Sequence, residues 1–164
     1  VERHDAVRGA QRHPAPPGNN YRHFVCAAPR GCSMRVLVCG GRDYGQIQIA
    51  RTGAENPFAE QEEERVHAVL DKLHSEAGID GVIQGGARGA DALACQWAAK
   101  HRVPNQTFEA DWESNGNFAG PMRNAAMLAE GKPDLVIAFP GGRGTADMVK
   151  KARRAGVQVV EISP

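Results

Sequence analysis

Aromatic residues make up only 5% of this 164-residue chain. That scarcity, beside 19 glycines and many alanines, suits helices packed closely on a parallel sheet. No apolar run approaches the roughly 20 residues of a membrane-crossing helix, so no membrane association is expected. Metal-binding spacing is also missing. The four cysteines (Cys26, Cys32, Cys39 and Cys95) form neither CxxC pairs nor zinc-finger intervals, which leaves packed, reduced thiols and a cytoplasmic setting. The histidines are scattered, and His67, His74 and His101 read as solvated helix positions. No metal and no cofactor is expected. A large charge of either sign is lacking too: the formal net charge is +1, which argues against broad electrostatic capture of nucleic acid.

That small charge is unevenly spread. Residues 1–33 hold five arginines and two acids, with Pro14, Pro16, Pro17, Gly18, Asn19 and Asn20 in a cluster. They show no apolar periodicity and no hydrophobic segment of a secretory signal. The expectation is a disordered or non-native leader. Residues 34–164, with 15 basic and 17 acidic side chains, form the expected single domain.

From Met34 the pattern alternates between strands and helices. Met34–Cys39 (MRVLVC), 79–84, 103–108, 135–139 and 157–162 read as strands. Between them lie helical patterns from Asn56 to Gly78, and over 90–101, 119–130 and 145–155. Asn56 and Pro57 look like the cap and first residue of the first helix. Such alternation predicts an α/β three-layer sandwich with a mainly parallel sheet, order 3-2-1-4-5.

Three strand ends open into glycine loops: Gly40-Gly41-Arg42-Asp43, Gly85-Gly86-Ala87-Arg88-Gly89-Ala90-Asp91, and Gly141-Gly142-Arg143-Gly144-Thr145. A strand running through bare glycines into a helix gathers free amides and a positive helix end at one spot, which suits phosphate. Positive φ and close ligand approach are the expected reasons for glycine. Ligands on such sheets bind at the carboxyl ends of the strands. Gly40, Gly41, Gly85, Gly86, Gly141, Gly142, Gly144 and Thr145 are therefore candidate phosphate contacts, with Arg42, Arg88 and Arg123 as neutralising forks. Asp91 reads either as a helix cap or as an acceptor for a sugar hydroxyl. Arg123 sits near a helix start, against the dipole, where an anionic ligand would partner it. Trp112 reads as a base-stacking ring or a hydrophobic plug, and Met122 and Met127 as core. The basic run Lys150, Lys151, Arg153 and Arg154 suits a helix C-terminus.

Together these motifs resemble the SLOG superfamily, named for the Smf/DprA and LOG proteins, and within it the small YspA-like branch. The resemblance implies a Rossmann-like fold over Met34 to about Ile162. Pro140-Gly-Gly-Arg-Gly-Thr145 is similar to the PGGxGT signature of LOG-type phosphoribohydrolases. Arg123, four residues before Met127, is similar to their RKxxM element and maps to the catalytic arginine. The lysine of that element is Asn124 here, and the glutamate of PGGxGTxxE falls on Met148, with Asp147 beside it. Gly86-Ala-Arg-Gly-Ala-Asp91, Gly41-Arg42 and Arg123-Asn124 resemble the GxARGID, GSR and RN elements of DprA-like proteins.

The reading that follows is a nucleotide or nucleotide-derived ligand held at the glycine loops of a sensor or processing domain. N-glycosidic hydrolysis of nucleoside monophosphates, with Arg123 and Asp147 as catalytic residues, is the first alternative. Single-stranded nucleic-acid binding of the DprA kind is the second. The resemblance also implies a homo-oligomer, a dimer by family analogy.

Overall fold

β1 (Met34–Cys39) is buried and apolar from Val36 to Cys39, with Arg35 alone partly exposed, because helices cover the sheet on both sides. Val36 and Val38 face one layer and Leu37 and Cys39 the other. The computed structural model describes residues 34–164; the expected leader lies outside the described residues. Five parallel strands, β1, β2 (Ile79–Gln84), β3 (Asn105–Thr107), β4 (Leu135–Ala138) and β5 (Gln158–Glu161), form one sheet in the order β3-β2-β1-β4-β5. The expected architecture and strand order are both present.

Four main helices cover this sheet. α1 (Ala59–Ala77) and α2 (Ala90–His101) pack on one face through Val66, Leu70, Leu73, Leu93 and Trp97. A short turn, α3 (Trp112–Asn115), and a 3-10 turn (Gly116–Phe118) lead into α4 (Ala119–Ala129). α4 and α5 (Arg143–Arg154) close the other face with Met127, Met148, Val149 and Ala152. The chain winds outward from β1 through β2 to β3, then crosses back to β4 beside β1. The winding therefore reverses between β1 and β4, the place where open α/β sheets leave a crevice at their carboxyl ends.

Several local expectations are corrected. α1 begins after Phe58, not at Pro57. The Asn56 side chain accepts from the Phe58 amide at 3.1 Å and donates to Glu62 at 2.8 Å, bracing a turn ahead of the helix. α5 starts at Arg143, two residues earlier than the glycines suggested. β3 keeps only three residues of the expected 103–108, since it is an edge strand paired to β2 alone. His74 and His101 are half-buried rather than freely solvated: both rings pack on buried Trp97, His101 stacking at 4.4 Å. Met127 is core, but Met122 is 55% exposed.

Candidate functional site

The reversal between β1 and β4 opens onto a cavity of about 500 Å³. Gly40, Gly41 and Arg42 enter it from β1, and Ala87 and Asp91 from the loop after β2. Arg123 and Asn124 line it from α4, and Gly142, Gly144, Thr145 and Asp147 from the start of α5. Of the proposed contacts, Gly85, Gly86, Arg88 and Gly141 do not line it.

The glycines divide into two groups. A Cβ on Gly40 would stand 2.6 Å from Ala90 Cβ, and one on Gly41 would stand 3.0 Å from Pro140 O. On Gly141 it would run into Thr145 Oγ1 and lie 2.8 Å from Gly41 N. These residues are glycines so that the β1 and β4 loops can touch, tied by Gly41 N–H donating to Pro140 O at 2.9 Å. Gly142 and Gly144 differ: a Cβ on either meets nothing within 4 Å. Positive φ, expected throughout these loops, occurs only at Gly86 and Gly89. At Gly89 (φ +84) a side chain would also strike the Gly41 carbonyl, so this loop too is shaped by protein contacts.

Asp91 is 5% exposed and serves the loop before its helix. Its Oδ2 accepts from Gly85 N at 3.0 Å and Ala87 N at 3.4 Å, so neither of its expected roles describes what holds it here. Burial pushes its carboxyl up to about 6, against the charge of Arg123 and those amide hydrogen bonds. Cys39 lies on the cavity floor, and burial, reinforced by Asp91, pushes its thiol up to about 12. A thiol so held stays protonated and unreactive near neutrality.

Arg123 is not left waiting for an anion. Its Nη1 donates to Gly85 O at 2.7 Å and its Nη2 to Asn124 Oδ1 at 3.3 Å, while buried Nε has no hydrogen-bond partner. The guanidinium thus closes the end of the β2 loop while lining the cavity. Arg88, expected at the anion, instead pairs with Asp43 outside the cavity. Arg42 lies over the Trp112 ring, with Cζ 5.3 Å from the centroid.

At the mapped glutamate position, Met148 is 1% exposed in the core and Asp147 is the residue that lines the cavity. Asn124 Nδ2 donates to Asp147 Oδ2 at 2.9 Å, and Lys151 pairs with Oδ1. Partial burial raises the Asp147 carboxyl, but these two partners outweigh it and hold it below the usual carboxylate range. Asn124 escaped the sequence reading as a site residue, although a lone amide in an apolar helix face was a visible signal. Arg143 also lines the cavity; the early start of α5 places it there. Among the described residues no group of three or more His, Cys, Asp or Glu could hold a metal ion. None of their helices is long and apolar enough to cross a membrane.

A parallel sheet in this order, with a glycine-lined cavity at its winding reversal, defines a Rossmann-like α/β domain. The chain belongs to the SLOG superfamily, in its YspA-like branch. The model of the YspA, cpYpsA-related SLOG family matches residues 34–114. The chain is 40% identical over 100 residues to the Gene 61 protein of Mycobacterium phage D29, covering 57% of this chain and 79% of that protein. Its fold is similar to that of DNA processing protein A (DprA) from Streptococcus pneumoniae, at a TM-score of 0.58 and 18% identity. That match covers 80% of this chain and 51% of the DprA chain, so the domain spans about half of that neighbour.

Proposed function

We propose that this domain binds a nucleotide or nucleotide-derived ligand in the cavity between β1 and β4, as a sensing or processing module. The observation that carries the reading is the pair Gly142 and Gly144. They are the glycines of the three loops that both line the cavity and face open space. They stand at the start of α5, whose first amides have no carbonyl partner within the helix. Bare backbone, a helix start and the Arg42 and Arg123 guanidinium groups together suit a phosphate. About 500 Å³ lies in the range of small-molecule sites. Mass spectrometry of ligands that copurify with the protein, followed by calorimetry with nucleoside monophosphates, tests it. Failure of every nucleotide to bind would remove the reading.

One observation favours hydrolysis as a second reading. Asp147 lines the cavity as a carboxylate fixed by Asn124 and Lys151, a charge able to stabilise positive character developing on a sugar. Release of free base from nucleoside monophosphates distinguishes it from binding alone. Single-stranded nucleic-acid binding has less support. The 15 basic and 17 acidic residues of positions 34–164 give no net positive charge to attract such strands. A steep salt dependence with oligonucleotides would reverse that order.

A further inference from the structure

One large apolar side chain of the cavity stands half in solvent. Trp112 lines the cavity with 49% of its surface exposed, whereas Trp97 is 1% exposed in the core. A large exposed ring is an informative departure from ordinary burial. The indole is held by position rather than packing. Asp111 caps its turn, accepting from Ser114 N at 3.0 Å, so the backbone beneath the ring is fixed. Arg42 lies over the ring, and a Cβ on Gly120 would sit 3.5 Å from the ring's Cη2. A cation over an indole orients it at little cost. Trp112 is therefore a placed aromatic surface at a cavity that also presents glycine backbone, guanidinium, amide and carboxylate groups.

We infer that Trp112 is the platform on which the ligand's aromatic base stacks, so that the cavity takes a base-bearing nucleotide in preference to a bare sugar phosphate. The inference rests on the nucleotide reading of the cavity and adds the part of the ligand that the glycines do not recognise. Stacking accepts any base, because each has a π-face, and rewards the larger purines. Arg42 then works twice, orienting the indole and adding positive charge to the cavity.

The test compares adenosine monophosphate with ribose 5-phosphate, titrated calorimetrically into the full chain and its Trp112→Ala and Trp112→Phe variants. Position 112 lies on an exposed four-residue turn, and circular dichroism checks that both variants fold. Trp112→Ala should weaken adenosine monophosphate about 5- to 150-fold and leave ribose 5-phosphate unchanged. Trp112→Phe should recover most of that loss. Tryptophan emission should be quenched by adenosine monophosphate in the wild type and not in Trp112→Phe, since Trp97 is enclosed. Equal weakening of both probes would make Trp112 a shaper of the loop and overturn the inference. So would unchanged adenosine monophosphate affinity, including the case where only the oligomeric state changes. That last outcome would assign Trp112, with exposed Phe118 and Met122, to a protein interface. Ribose 5-phosphate binding as tightly as adenosine monophosphate to the wild type would remove the base platform and keep the phosphate site. Binding of neither probe would remove both.

Discussion

Asn124 and Asp147 lie 23 positions apart in sequence and are joined side chain to side chain at 2.9 Å. The same Asn124 amide also donates to Gly144 O at 3.1 Å, and its oxygen accepts from Arg123. At 2% exposure this side chain locks the start of α5 to α4 and aims a carboxylate along the cavity wall. Asn124→Ala should therefore do two things. It should cost about 1–3 kcal/mol of stability, because buried polar partners are left unmatched. It should also lower ligand affinity without removing any group proposed to touch the ligand. Urea unfolding and calorimetry measure the two effects, and loss of stability with wild-type affinity would limit Asn124 to the scaffold.

Two neighbouring glycines should respond in opposite ways. Gly141→Ala forces a Cβ against Thr145 and the Gly40–Gly41 backbone, so it should destabilise the fold by about 1–3 kcal/mol. Gly142 has φ −97 and open space around its missing Cβ. Gly142→Val should fold nearly as the wild type does, yet lose nucleotide binding by filling the phosphate position. A folded Gly142→Val with normal affinity would place the phosphate elsewhere.

Asp91 gives stability a pH dependence. Its folded-state value, about 6, lies above the ordinary 3.8, so the folded chain holds that proton more tightly than the unfolded chain. Its contribution is fully present below about pH 3.8 and is lost as pH rises through about 6. The loss is on the order of 3 kcal/mol. Asp91→Asn, which keeps an acceptor for the Gly85 and Ala87 amides, should flatten this fall. Denaturant midpoints for both proteins measured between pH 4 and 8 should diverge as pH rises from about 4 to about 6 and stay apart above it, the variant being the more stable. Parallel curves would mean that Asp91 is ionised at an ordinary pH.

Met148→Glu separates the mapped position from the actual site. The side chain is 1% exposed in the core beneath α5, so a carboxylate there should destabilise by about 4 kcal/mol or more and create no hydrolase. Asp147→Asn is the informative variant for chemistry. Base release from nucleoside monophosphates should be slow or absent in the wild type, and any present should fall about 10²–10⁴-fold in Asp147→Asn. Release indifferent to Asp147 would exclude it from catalysis.

Much of this was legible because the signals were local. The apolar runs 34–39 and 135–138, the glycines after them and the helical stripe through Val66, Leu70 and Leu73 yielded the sheet order and the region of the cavity. What was missed depends on side-chain partners and helix phase, which residue types alone do not reveal. Arg88 reads as free for an anion from its glycine loop, but Asp43, 45 positions away, pairs with it. The solvated reading of His74 and His101 failed because Trp97 packs between the helices that carry them. The motif mapping put Met148 at the pocket, but the helix phase of α5 against the sheet buries it and leaves Asp147 on the cavity wall. At Asn56 the residue types were those of a helix cap, but the side chain satisfied an amide two residues on and delayed the helix.

The crossover from β3 back to β4 governs when the site comes into existence. Synthesis from the N-terminus delivers Gly40, Gly41, Arg42, Ala87, Asp91 and Trp112 first, as one side of an open gap. Arg123 and Asn124 arrive on the crossover helix α4, and the start of α5 supplies the last side only after the chain has doubled back across the sheet. Until β4 lies beside β1 and α5 follows it, the nascent domain lacks Gly142, Gly144, Thr145 and Asp147 and holds only part of the receptacle. On the nucleotide reading, binding would then report completion of the fold: a product truncated before α5 lacks Gly142, Gly144 and Thr145 and should not be stabilised by nucleotide.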